Sequence, residues 1–380
     1  MEMPSVLNCP YTPVTFVRFQ SQFQSIGSCR NLGRGSITAY LRSMALPRKV
    51  LIIQTAFIGD AILATSILES WHHAHHGDEL HFLVRSGNES LLDFHPFLAG
   101  LHTWKKSSNA GLRYWNLAAL GIDLRRMNFD VVVTPHRHMS SGILMLMSGA
   151  KQRVGFSSHP LSTFFTHSHD HGLGNGEHEI ERNHRLIADH VTLSKPKKPR
   201  LYPAQKCDDQ GLSEKFGIAA PSSQWATKQW PSNRWGEWLD LEFEAAPGQT
   251  IVLIGAPSDR SELEHIASQS KHELLEIRTD LSLLGAVGLM RRAEWVVTND
   301  SGPMHMASAV DAPTVAIFCS TLPSFGFGPL ASQSVVVEVE IKLDCRPCGL
   351  HGHQSCPLSH FNCGHGIAAD QVAAALKALA

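Results

Sequence analysis

The chain of 380 residues contains no apolar run near the roughly 18 residues that span a bilayer. It also has almost no net charge, with 33 Lys and Arg against 34 Asp and Glu. That balance leaves no electrostatic footprint for nucleic acid. No internal repeat recurs at a fixed period. The eight Cys do not make a small secreted disulfide scaffold, because the chain is too long and four of them are scattered. Residues 1–47 carry a single acid, Glu2, among Arg18, Arg30, Arg34, Arg42 and many Ser and Gln. That composition superficially matches an organellar transit peptide, and it lacks the apolar core of a signal peptide. The segment is read as a disordered leader or as a start assigned too early, with the folded protein beginning near Met44.

What is present is the composition of a globular protein long enough for two domains. From Lys49 onward, short apolar runs alternate with helical patterns. "KVLIIQTAFIGDAIL" predicts a strand over Val50–Gln54, a turn, and a helix starting near Asp60 or Ala61. "LHFLVR" (80–85) and "FDVVVTP" (129–135) predict further strands. Continuous apolar runs between helices point to a parallel sheet covered on both faces. "SKPKKPRLYP" (194–203) reads as a linker, after which the alternation restarts with "TIVLIGAPSD", "EWVVTND" and "TVAIFCS". The fold class is α/β. Two Rossmann-like doubly wound domains, 48–195 and 196–380, face one cleft beyond the carboxyl ends of their strands.

Four stretches could carry chemistry. In "WVVTNDSGPMHMASAV" (295–310) a strand runs into Asp300, Ser301, Gly302 and Pro303, and then a helix carries His305. Gly302 lets a ligand approach the backbone, and a helix start attracts phosphate. A plain N-cap with a surface His is the competing reading. In "SSQWATKQWPSNRWGEW" (222–238), Lys228 lies before a helix starting near Pro231 and offers a compact charge for a diphosphate. Trp225, Trp230, Trp235 and Trp238 read as packing rather than a sugar platform. In "AFIGDAIL", Asp60 is either an N-cap or a general base aimed into the cleft. In "GAPSDRSE" (255–262), Asp259 could accept from ribose hydroxyls, and Leu281 is a nucleoside-binding candidate, although the stretch is not GxGxxG.

Cys345, Cys348, Cys356 and Cys363 form a Cys-rich tail (345–363) with one CxxC pair, which allows a structural Zn site; reduced thiols or a disulfide are the alternatives. "HHAHH" (72–76) reads as a solvated helix face, and His167, His169, His171 and His178 as loop residues.

Taken together, in order and spacing, "KVLIIQTAFIGDAILATSILESW", "FDVVVTPHRHMSSGILMLMSGAKQRVGF", "HEIERNHRLI", "ATKQWPSNRWGEW" and "VVTNDSGPMHMASAV" resemble glycosyltransferase family 9, the ADP-heptose:lipopolysaccharide heptosyltransferases. The likeness covers about residues 48–375, and "CPLSHFNC" resembles the tail of heptosyltransferase II-like members. It implies a GT-B fold with acceptor on the first domain and nucleotide-sugar on the second. It further implies inverting transfer of heptose from ADP-heptose onto a lipopolysaccharide core acceptor, with no required cofactor. By the resemblance Asp60 is the base, and Lys228, Asp300, Ser301, Gly302 and His305 bind the donor diphosphate. Ser301 replaces the family's usual Thr and keeps the hydroxyl. Gln54 stands where heptosyltransferase I-type members carry a basic residue. The expected setting is cytoplasmic, at the inner face of the membrane, with a lipid-linked oligosaccharide acceptor, no transmembrane segment and no nucleic acid. The competing expectations are a GT-B nucleotide-sugar epimerase or hydrolase, and a metal-stabilised interaction module.

Overall fold

A computed structural model describes residues 46–204, 212 and 214–379; the leader expected over 1–47 lies outside the described residues except for its last two. The run Val50–Ile53 shows how the fold is written. Val50 and Ile52 enter one apolar cluster while Leu51 and Ile53 enter another, because successive strand residues point to opposite faces. Both faces are buried, as the unbroken apolar run requires.

The first sheet comprises β1 (Lys49–Gln54), β2 (Glu79–Arg85), β3 (Leu98–Trp104), β4 (Val131–Thr134), β5 (Gln152–Phe156) and β6 (His167–His169). Its order is β3-β2-β1-β4-β5-β6, with every pairing parallel. Helix α1 (Ile58–Ala74) follows β1, α2 (Ala110–Arg126) follows β3, α3 (Met139–Met147) follows β4, and α4 (Glu179–Arg185) follows β6. The second sheet repeats the plan with β7 (Phe216–Ala220), β8 (Thr250–Ile254), β9 (Leu275–Arg278), β10 (Trp295–Asn299), β11 (Thr314–Phe318) and β12 (Ser334–Glu338). Its order is β12-β11-β10-β7-β8-β9, again all parallel. Helices α5 (Ser232–Ala245), α6 (Arg260–Ser268), α7 (Leu283–Arg292), α8 (Gly302–Ala309), α9 (Asn362–His365) and α10 (Ala369–Lys377) complete the second half.

Each sheet has the doubly wound order whose direction reverses between its two central strands, β1/β4 and β7/β10. Ligands of such sheets bind in the crevice beyond that point. A single apolar cluster runs from Ile62, Leu68 and Trp71 of α1 through Leu186 and Leu201 to Val287, Met290 and Met306. The two sheets therefore share a packed seam. Trp230, Trp235, Trp238 and Trp295 fill the far side of the second sheet.

The expected linker is not free chain. Lys197 N donates to Ser70 Oγ (3.0 Å), Arg200 N to Thr65 Oγ1 (3.0 Å), and Tyr202 OH to Glu69 Oε1 (2.8 Å). Its prolines remove backbone donors, α1 hydroxyls accept from Lys197 N and Arg200 N, and Ala309 O accepts from Leu201 N (3.4 Å).

Candidate active site

Helix α1 begins at Ile58, ahead of the start expected near Asp60 or Ala61, with extended Phe57 as its N-cap and no side-chain cap. Asp60 is therefore not the N-cap but the third helical residue. The backbone N–H groups of Phe57 and Asp60 beside its carboxylate favour the charged form. Asp60 lines a cavity of about 660 Å³ shared by both halves. Burial pushes its pKa up to about 6, and the negative charge of Glu179 adds to the rise.

On the opposite wall, β10 ends at Asn299. Asn299 Oδ1 accepts from Trp230 N (3.1 Å), and Asn299 Nδ2 donates to Pro221 O, so the ends of β7 and β10 are tied together. Asp300 follows, buried, with Thr321 Oγ1 donating to its Oδ2 (2.6 Å). Lys228 closes a short 3-10 turn (Ala226–Lys228), and its Nζ lies 2.6 Å from Asp300 Oδ2. Ser301 is the N-cap of α8, and its hydroxyl caps nothing in the helix. Met304 N donates to Ser301 O (3.1 Å) and Pro303 has no N–H, so Gly302 N is the first-turn donor left without an intrahelical acceptor. Proline at the start of α8 lacks a donor that would have gone unused there.

His305 is not a surface residue. It is buried, its Nδ1 has no partner among the described residues, and burial pushes its pKa down to about 4. The ring is neutral at pH 7 and can donate from one nitrogen without adding charge. Gly59 explains how the halves meet here: a Cβ on it would lie 2.7 Å from His305 Cδ2. Gly302 also lies beside Ile58, where a Cβ would make an ordinary contact at 3.4 Å. Nothing local in the sequence marks Gly59, since its partner is about 250 residues away.

Asp60, Lys228, Asp259, Leu281, Asp300, Ser301, Gly302 and His305 all line the one cavity. Asp259 also has a local task, because its Oδ2 accepts from Ala256 N (2.9 Å) and closes the turn into α6. The wall also includes Phe327 and His351, and two residues that the sequence did not single out, Arg278 and Phe325. Trp225 corrects the packing expectation. Trp230, Trp235 and Trp238 are buried, whereas Trp225 stands on the cavity wall near His351, with ring centroids 6.5 Å apart.

In the Cys-rich tail the structure favours the reduced-thiol alternative. Among the described residues no group of three or more His, Cys, Asp or Glu is placed to hold a metal ion. Cys345, Cys348, Cys356 and Cys363 are free thiols; Cys363 is buried in the core, and Cys345 Sγ approaches His360 Nε2 at 3.9 Å. The tail instead props the Lys228 turn. Thr227 N donates to His353 O (3.0 Å), His353 N to Thr227 Oγ1 (2.8 Å), and Cys348 N to Ser320 O (2.8 Å).

The histidines of the expected loop are structural. His178 caps α4 and contacts Gly328 O (3.1 Å), and His171 contacts Glu179 (3.3 Å). Glu179 also pairs with Arg182, at 2.7 Å. Arg182 is fully buried and donates to Glu177 O and to Phe325 O (2.7 Å). In "HHAHH", His72 stacks on Phe97 (3.7 Å) and His75 meets His190 O (2.7 Å), so that face is partly packed.

Two doubly wound sheets sharing one cavity, with a carboxylate on one wall and an ammonium, a neutral histidine and a helix start on the other, define an α/β protein of the GT-B class. The sequence profile of glycosyltransferase family 9 (heptosyltransferase) matches residues 117–354, and the chain belongs to that family and is a glycosyltransferase. Lipopolysaccharide heptosyltransferase 1 of Pseudomonas aeruginosa is 24% identical over 312 residues, 79% of this chain and 86% of that protein. A family 9 glycosyl transferase from Veillonella parvula superposes with a TM-score of 0.77 at 20% identity, over 88% of this chain and 98% of that one. An E. coli ADP-heptose lps heptosyltransferase II gives a TM-score of 0.71 at 20% identity, over 87% and 98%. At that identity the structural likeness concerns the fold. No helix among the described residues is long and apolar enough to cross a membrane.

Proposed function

We propose that the protein transfers heptose from ADP-heptose to a lipopolysaccharide core acceptor with inversion at the anomeric carbon. One observation carries this reading: Asp60 from the first half shares a cavity with Lys228, His305 and the start of α8 from the second. The family and the heptosyltransferase relatives support the sugar and the acceptor class.

Residues 48–195 take the acceptor and 196–380 the donor. Asp60 removes the proton from the attacking acceptor hydroxyl as that oxygen bonds to the anomeric carbon. The bond from carbon to the diphosphate oxygen breaks, and its electron pair leaves with the nucleotide. Lys228 and the N-terminal end of α8, through Gly302 N, receive that charge. Asp300 holds Lys228 in place until the diphosphate arrives, and Ser301 and His305 donate to phosphate oxygens. Asp259 reaches the ribose, and Leu281 packs on the base. Base and leaving group lie on opposite walls, which suits in-line displacement and inversion. The acceptor is lipid-linked, at the inner face of the cytoplasmic membrane.

The test is incubation with ADP-heptose and a heptose-deficient core acceptor, following free ADP and the glycosylated product together. Transfer that requires acceptor is the expected result. Donor that is epimerised or hydrolysed at the same rate without acceptor would overturn the reading in favour of an epimerase or hydrolase.

A further inference from the structure

Helix α2 has two apolar faces. Leu117, Gly121 and Leu124 are buried, with Leu120 partly buried, against the first sheet; a Cβ on Gly121 would lie 2.5 Å from Met147 Cε. The opposite stripe, Leu112, Trp115, Ala119 and Ile122, follows the same helical spacing and is exposed. Trp115 is 72% exposed, Leu112 53% and Ile122 50%, with Tyr114 beside them at 63%. An apolar stripe turned outward on a well-packed helix is what burial of apolar surface would ordinarily remove.

The charge beside its first turns has one sign, and the acid at its other end, exposed Asp123, pairs with Arg126 at 3.1 Å. Residues 94–122 contain no Asp or Glu, while Lys105, Lys106 and Arg113 lie within them. Lys105 and Lys106 are exposed directly after β3, and Asn116 Nδ2 of α2 donates to Lys105 O (3.1 Å). The basic pair therefore sits against the first turns of the stripe. β3 and β1 are separated only by β2 in a parallel sheet, so their carboxyl ends share one edge about 10 Å apart. That edge carries the Asp60 turn and exposed Phe57, which lines the cavity.

We propose that the Leu112–Ile122 stripe of α2 with Lys105, Lys106 and Arg113 docks on an anionic lipid bilayer, setting the acceptor wall of the cavity against the membrane surface. The assignment of the acceptor as lipid-linked rests on the function proposed above. Tryptophan and leucine enter the headgroup boundary while the lysines face lipid phosphates. Charge complementarity selects this occupant over a second copy of the chain, whose identical basic patch would be brought face to face with this one.

The experiment is co-sedimentation of the full chain with vesicles of phosphatidylcholine, alone or mixed with phosphatidylglycerol. The wild-type chain pellets with the anionic vesicles and not with phosphatidylcholine alone. Replacing Leu112→Ser with Trp115→Ser lowers the bound fraction at least tenfold, and Lys105→Ser with Lys106→Ser lowers it about fivefold per charge at low salt. Both variants keep the wild-type unfolding midpoint, because the residues are exposed. Both also keep wild-type transfer to a delipidated, water-soluble acceptor and lose it on vesicle-embedded acceptor. Stripe variants that pellet like wild type overturn the proposal. So does a wild-type dimer in light scattering that Trp115→Ser converts to monomer. Failure of wild type to glycosylate even the soluble acceptor counts against the function above, while the vesicle result still decides the docking surface.

Discussion

Asp60→Asn should make the protein inactive and more stable, with the gain in stability set by pH. The carboxyl is raised from an ordinary 3.8 to about 6 by burial and by Glu179. At about 1.36 kcal/mol per unit, a rise of about two units is about 3 kcal/mol of penalty on the charged form. Asp60 keeps part of its surface open to the cavity, so solvent screening reduces this to about 2 kcal/mol. A charge in the first turn of α1 also gains about 0.5 kcal/mol from the helix dipole, which the amide forfeits. The net gain is therefore about 1–2 kcal/mol.

Its sign against pH follows from proton binding. The folded state holds the Asp60 proton more tightly than the unfolded state, so wild-type stability falls as pH rises from about 4 to about 6. The Asp60→Asn advantage is absent at the low end of that window and complete above it. Urea midpoints of both proteins across the window measure this. The same carboxyl must be ionised to act as a base. Wild-type kcat/KM should therefore fall tenfold per unit below about pH 6, and Asp60→Asn should lose about 10²–10⁴ in kcat with donor affinity intact. A variant that transfers at the wild-type rate, or a stability difference that ignores pH, would refute the reasoning.

Three further outcomes are expected. Glu179→Gln removes the charge that helps raise Asp60, so the acid limb of kcat/KM should move to lower pH; an unmoved limb means that Glu179 only props Arg182. Gly59→Ala gains about 1 kcal/mol of helix propensity but places a methyl 2.7 Å from His305 Cδ2. Overpacking of about 1–3 kcal/mol prevails, so donor KM should rise and the unfolding midpoint fall; a more stable variant with unchanged KM would contradict the contact. Lys228→Met strands the buried Asp300 carboxylate and should cost about 3–5 kcal/mol. Adding Asp300→Asn should restore most of that stability without restoring donor binding by calorimetry, and a double variant with wild-type affinity would remove Lys228 from the diphosphate site.

What the sequence made legible divides by the range of the interaction involved. Strands buried on both faces, such as Val50–Ile53 and Thr250–Ile254, announce themselves because every residue must be apolar. Strands β3, β6 and β9 do not, because they are only partly buried and their residues follow no strict alternation. The corner from Asp300 to His305 was legible as a strand-turn-helix junction, since those signals lie within six residues. Gly59 against His305, the Cys-rich tail under Thr227, and Arg182 reaching Phe325 O are pairings more than 90 residues apart, and no local pattern encodes them.

Trp225, which the sequence misplaces, and the cysteines, whose alternatives it leaves open, share a physical cause. Trp225 sits in a run of tryptophans that look alike, and only the strand ends decide that three pack inward and one meets the cavity. The four cysteines have metal-like spacing, but spacing constrains chain length rather than direction. Here the backbone between them is committed elsewhere, through Cys348 N on Ser320 O and His353 on Thr227. Those bonds fix the turn that presents Lys228. The tail therefore bears on donor binding through backbone geometry. By that argument Thr227→Val, which keeps the shape but leaves His353 N without its acceptor, should weaken donor binding although it touches no ligand atom.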